Sequence, residues 1–321
     1  MPHSFRNRIT LTHGTRFSSD QSQLKLSVEG AAENVLLHTP NLEDEIRDAS
    51  ELVLSGGGYS TFAEAEQAGR RWRQYLMIAM AHFGVGGDFG PATDVEARRG
   101  NGLIGEMFYQ GRPGLQVLEH TPDVNFMKVS VAETVGKTLD DFLAGPLRTE
   151  LEKPYVPQSD SHELAYSLFH AAHFESNPET VHVLLVTALE AIIAKRGKKR
   201  DITVIGILDE FKGVVKERFS DTDPNRKLLL RALGNAKGEG INECGQRVAS
   251  ELLSKDYGGQ PPNVFFKTVY DQRNAIVHGR TPEGGRPTTQ ELDERRAPLF
   301  EFVVDLLAAD LGQDSRTDRL T

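Results

Sequence analysis

The sequence is poor in cysteine, in long apolar runs and in positive charge, and each shortage removes a class of protein. Cys244 is the only cysteine among 321 residues, so neither an internal disulfide nor a cysteine-rich zinc site can form, and the usage fits a reducing compartment. No apolar stretch approaches the ~18 residues that cross a bilayer. The opening residues, Met1 to Arg8, carry Pro2, His3, Arg6 and Arg8 and no apolar signal core, so a cytoplasmic location without a membrane partner is expected. With 37 Lys and Arg against 46 Asp and Glu, the net charge of -9 excludes a coat on nucleic acid held by bulk electrostatics. Any nucleic-acid contact must be local.

Familiar catalytic and cofactor signatures are absent as well. Gly56-Gly57-Gly58 has no following Gly-Lys-Ser or Gly-Lys-Thr, so it reads as a turn rather than a phosphate loop. There is no His-Glu-x-x-His helix, no cysteine pair and no Gly-x-Ser-x-Gly elbow. His170 and His173 lie three apart on a helix but lack an identifiable third ligand, so two partly exposed histidines are the simpler reading. No metal and no cofactor is expected.

What is present is ordinary globular material, 38% hydrophobic and 26% charged, too apolar for a disordered chain and long enough for two domains. Its texture changes near residue 150. Before that point, Arg8 to Thr12, Gln23 to Val28, Glu51 to Leu54, Leu115 to Leu118 and Val124 to Val131 read as strands. Thr61 and Glu64 cap a helix that runs through Trp72 and Ala79 and stops near Gly84. Residues 1–150 are therefore expected to form an α+β domain.

From 151 to 321 the pattern is helical, so an all-α bundle is expected there. Asp160 with Glu163 caps one helix, and Val181 to Ala194 is apolar nearly all round, as a central helix should be. Asp201 starts another, with Ile202, Ile205, Leu208, Val215 and Phe219 as its apolar positions, and Asp223-Pro224 starts a third. Further helices are expected over 241 to 255, 262 to 278 and 289 to 311, with Pro298 inside the last.

The chemically informative stretch runs from Val264 to Gly279. At 3.6 residues per turn Phe265, Phe266, Val269, Ile276 and Val277 share a stripe, and Arg273 projects from its middle. A guanidinium there needs a carboxylate, a phosphate or a subunit boundary to face. Asp271, Asn274 and His278 gather on the polar side, and Gly279 offers a left-handed cap. The His278 imidazole thus ends a helix, where the backbone dipole favours a cation and proton transfer is a natural role. Glu190, a carboxylate within an apolar helix, is the obvious partner of Arg273, and stranding either charge should cost about 3 to 5 kcal/mol if both are buried.

The stretch Arg273-Asn274-Ala275-Ile276-Val277-His278, preceded by Tyr270-Asp271 and followed by Gly279, resembles the signature of HEPN domains. With the upstream helix Leu185-Val186-Thr187-Ala188-Leu189-Glu190-Ala191 it looks like the Apea-like HEPN branch, and the resemblance covers roughly 160 to 310. It implies a helical bundle and a metal-independent endoribonuclease whose two signature helices meet across a homodimer. In that scheme Arg273 binds the scissile phosphate, His278 is the general acid or base, and Asn274 orients them. Glu190 and Asp271 would support the site, with RNA as the partner and a role in phage defence or a toxin system. The competing reading is a catalytically silent HEPN scaffold or RNA-binding module, with Arg273 a structural ion-pair partner and His278 a cap.

Two other clusters bear on RNA. Lys195, Arg196, Lys198, Lys199 and Arg200 place five cations in six residues directly after the central helix, either as a solvated helix end or as an RNA-backbone contact. Trp72 among Arg70, Arg71 and Arg73 could mimic a stacking surface, although a helical tryptophan is more often core.

Overall fold

The computed structural model describes residues 2–12, 15–26, 34–40, 44–92, 113–118, 135–153, 155, 157–279 and 286–312. They form two compact units, Met1–Leu184 and Leu185–Thr321. The division falls inside a helix rather than near residue 150, so the helix over 160–174 belongs with the sheet. The reason is local: its side chains are tied to the sheet unit by the hydrogen bonds of His170 given below.

The first unit is built on an antiparallel sheet. Its strands are β1 (His3–Leu11), β3 (Gln23–Leu26), β4 (Asn34–His38), β5 (Glu51–Tyr59), β6 (Gly87–Asp88) and β7 (Gly114–Leu118), in the order β3-β4-β5-β1-β6 with β7 also on β1. β6 and β7 occupy opposite ends of the same edge, pairing Thr10 and Leu11 in one case and Ser4 to Arg8 in the other. A separate parallel pair joins β2 (Thr15–Ser18) to β8 (Val135–Thr138). The glycine run is not a turn. Gly56 pairs with Phe5 and with Val35 inside β5, and a Cβ there would come within 2.4 Å of the Phe5 ring, so a missing side chain makes room for an aromatic. The strand expected over 124 to 131 lies outside the described residues.

Helix α1 (Phe62–Phe83) packs on this sheet. Thr61 Oγ1 accepts from the Glu64 amide at 3.2 Å, and Gly84 ends the helix at φ 68°. Gly69 faces β1 and β7, where a Cβ would lie 2.7 Å from a Leu115 methyl and 3.0 Å from Phe5 Cβ, so helix and sheet approach closely. Helix α2 (Asp160–Phe174) is capped by Ser159 rather than by Asp160, the Ser159 hydroxyl receiving the His162 amide.

Helix α3 (Pro178–Ile193) crosses the division. In the second unit follow α4 (Ile202–Arg218), α5 (Pro224–Asn235), α6 (Ile241–Leu252), α7 (Pro262–His278) and α8 (Thr289–Asp310). The core gathers Leu185, Leu189 and Ile193 of α3, Val248 of α6, Phe265, Phe266 and Val269 of α7, and Phe302, Val303 and Leu306 of α8. Phe302 sits 4.9 Å from the Tyr257 ring and 5.2 Å from that of Phe265. Gly245 lets α6 lie against α7: a Cβ would fall 2.1 Å from the Phe266 ring. The helices expected from Asp201 and Asp223 form with those caps, yet neither α4 nor α5 buries a side chain. Among the described residues no helix is long and apolar enough to cross a membrane.

Candidate functional site

The site is organised by α7. Pro262 at its first turn costs no hydrogen bond, Phe265, Phe266 and Val269 anchor its first half in the core, and Gly279 in the left-handed conformation ends it, its amide reaching Ala275 O at 3.1 Å. The second half is less covered. Ile276 is half-buried, Val277 is 47% exposed and His278 is exposed, so the expected apolar stripe fades toward the helix end.

Arg273 leaves that second half and meets Glu190 of α3, Nη2 to Oε2 at 3.0 Å, while Nη1 donates to Asn274 Oδ1 at 3.2 Å. The two partners of the ion pair are each about one-fifth exposed. Arg273 Nε is buried and meets no acceptor among the described residues. A guanidinium has five N–H donors, so these two contacts leave most of the fork for an anion. Burial pushes the Glu190 carboxyl above its ordinary range, and the charges of Arg273 and His278 oppose that shift. Arg273, Asn274, Glu190 and His278 are therefore within electrostatic reach of one another.

Asp271 stands apart from this group. It receives Lys267 Nζ at 2.7 Å and the Asn242 amide at 3.4 Å, and Gln246 in turn donates to Asn242 at 3.0 Å. Its support is to the α6 and α7 packing, not directly to Arg273. Asn242, Gln246 and Lys267 were not singled out in the sequence. The i, i+4 spacing of Asn242 and Gln246 was the available signal.

The basic run is largely committed within the chain. Lys198 pairs with Glu251 at 3.0 Å, Arg200 with both oxygens of Glu243, and Arg196 with Asp310. Arg247, also unremarked in the sequence, clamps Glu239 and Glu251 at 2.8 Å each. Its hydrogen bonds, with that of the Lys198 amide, hold Glu239 down to about 2. Lys195 and Lys199 are exposed and make no ion pair among the described residues.

The other candidates resolve into structure. His170 is buried, contrary to the partly exposed histidine expected: Nδ1 accepts from the Gly87 amide at 3.3 Å and Nε2 donates to Met77 O at 3.0 Å. With burial as the main cause its pKa falls to about 3, so it is a neutral tie between α2, α1 and β6. No group of three or more His, Cys, Asp or Glu among the described residues could hold a metal ion. Trp72 is 2% exposed and belongs to the core, and Arg73 is buried against Gly90 O at 2.5 Å. No protein-family model, curated protein or solved structure matches the chain.

Proposed function

We propose that the second unit is a metal-independent endoribonuclease of HEPN type, acting in the cytoplasm as a homodimer on RNA. The observation that carries the reading is the grouping of Arg273, Asn274, Glu190 and His278, with the imidazole exposed at the end of α7 and the guanidinium held in place. Arg273 would contact two oxygens of the scissile phosphate through its planar fork and offset the charge that develops on them. One His278 nitrogen would take the proton of the ribose 2′-hydroxyl as its oxygen attacks phosphorus. The same group on a second copy would protonate the departing 5′-oxygen, leaving a cyclic phosphate. The 2′-hydroxyl requirement restricts the reaction to RNA. The first unit would sense or target, in a phage-defence or toxin setting.

A second reading rests on the same ion pair. If Glu190 neutralises Arg273 permanently, the domain is a silent HEPN scaffold or RNA-binding module. The two are separated by incubating purified protein with RNA in the presence of a chelator. Chelator-resistant cleavage that vanishes in folded Arg273→Ala and His278→Ala supports the enzyme, and RNA binding without cleavage supports the module.

A further inference from the structure

Tyr270 lies on α7 just before Arg273, and the cleavage scheme gives it no role. At 3.6 residues per turn Tyr270, Arg273, Asn274 and Val277 fall within about 100° of arc, so they share one stripe of the helix. About 4.5 Å of rise along the axis separates Tyr270 from Arg273. One face of the Tyr270 ring stacks on Phe266, with centroids 5.7 Å apart and planes 17° from parallel. Phe266 cannot give way, because it is fully buried against Gly245 of α6. Since Phe266 is one turn nearer the start of α7, the other face of Tyr270 is on the side of the turn that carries Arg273 and Asn274. Asn274 is drawn toward Arg273 by its hydrogen bond. The Tyr270 ring is only half-buried, and its hydroxyl makes no hydrogen bond among the described residues, so it is not held there by its polar end.

We propose that Tyr270 is a stacking platform for the base of the nucleotide whose phosphate Arg273 holds. This rests on the RNA reading of the site and adds to it a contact with the base. A phosphate at the Arg273 fork leaves the base of the same nucleotide within reach of a ring one helix turn away. The ring is pre-set by Phe266, so little side-chain freedom is lost when a base lands on it. It meets the π-face that every base has, which makes the contact tolerant of sequence, and the base must be unpaired to present that face. No other aromatic of α7 can serve, because Phe265 and Phe266 are both buried. A nucleotide is favoured over an apolar protein segment as occupant: the platform adjoins a guanidinium with unmet donors, and Val277 is the only exposed apolar residue on the stripe.

The test is binding of a short single-stranded RNA rich in 2-aminopurine, whose emission falls on stacking, to full chains that all carry His278→Ala and so leave the RNA whole. With Tyr270 or Tyr270→Phe the emission should fall. With Tyr270→Leu it should not, and affinity should drop about 10-fold. In chains that keep His278, Tyr270→Leu should raise KM about 10-fold at an unchanged kcat, and Tyr270→Phe should restore it. Tyr270→Trp gives a reading that does not depend on the leucine variant folding: its indole emission should fall with RNA and stay constant with an abasic sugar-phosphate chain. Equal quenching by the phenylalanine and leucine variants, an indole that responds alike to RNA and abasic chain, or no RNA binding by His278→Ala overturns the platform, whether or not wild type cleaves. Quenching by His278→Ala with no cleavage by wild type supports the platform and overturns the nuclease reading.

Discussion

Arg273 Nη2 lies 3.0 Å from Glu190 Oε2, so the cation central to the proposed chemistry is held by a carboxylate 83 positions earlier in the chain. Burial raises the Glu190 pKa in spite of Arg273 and His278, which means that desolvation outweighs the attraction. The pair fixes the position of Arg273. The loss of several kcal/mol expected from the sequence was conditional on full burial, and each partner is about one-fifth exposed.

Glu190→Gln resembles the protonated carboxyl and should keep stability within about 1 kcal/mol of wild type at neutral pH while lowering RNA cleavage. The sign follows from the raised pKa. The wild-type contribution is fully present below the ordinary value of 4.5 and is lost as pH rises through the higher folded value, a slope that the glutamine variant lacks. Melting curves at pH 5 and pH 8 check this: a variant whose deficit grows at pH 8 would mean that attraction dominates after all.

Much of the scaffold was legible because it rests on local rules. The caps at Thr61, Asp201 and Asp223, the stop at Gly84 and the limits of α7 follow from side chains and φ preferences within a few residues. The pairing of Glu190 with Arg273 was also legible, since each is a charge in an apolar helix. What failed depended on distant neighbours. The role of Gly56 is set by Phe5 on another strand, the burial of His170 by Met77 and Gly87, and the commitment of Arg200 by Glu243. The apolar positions expected on α4, Ile202, Ile205, Leu208 and Val215, are not buried, because periodicity reports that a face is apolar and not what covers it.

His170 should make the first unit acid-sensitive. Its folded pKa of about 3 lies below the ordinary 6.5, so its contribution is present above 6.5 and is lost as pH falls from there toward 3, at up to about 1.4 kcal/mol per pH unit. His170→Asn should flatten that slope and lower stability at neutral pH, because the Met77 and Gly87 groups lose a well-placed partner. Denaturant melts from pH 4 to pH 8 read both effects, and parallel profiles for the two proteins would place the acid sensitivity elsewhere.

Gly245→Ala should destabilise the second unit by about 1 to 3 kcal/mol, since its methyl would overlap the Phe266 ring and force α6 and α7 apart. The same shift would move Asn242 away from Asp271. Asn242→Ala should leave the melting temperature nearly unchanged, because a half-buried hydrogen bond contributes little net stability. Equal losses in the two variants would show that the polar contact, not the close approach, sets the spacing.

The basic run divides into two functional groups by its carboxylate partners. Arg196, Lys198 and Arg200 already face Asp310, Glu251 and Glu243, so binding RNA through them would require breaking those pairs. Lys195 and Lys199 are exposed and carry no such cost. If RNA runs past this helix end, Lys195→Gln and Lys199→Gln should each weaken binding uniformly across sequences and reduce the slope of log affinity against log salt by about 1. Arg200→Gln should change affinity little and should instead lower the melting temperature slightly, as exposed pairs do. Titrations of wild type and the three variants at several salt concentrations decide between them. An unchanged slope in both lysine variants, with a reduced slope in Arg200→Gln, would mean that the RNA displaces the intrachain carboxylates and that the division by partners does not predict contact.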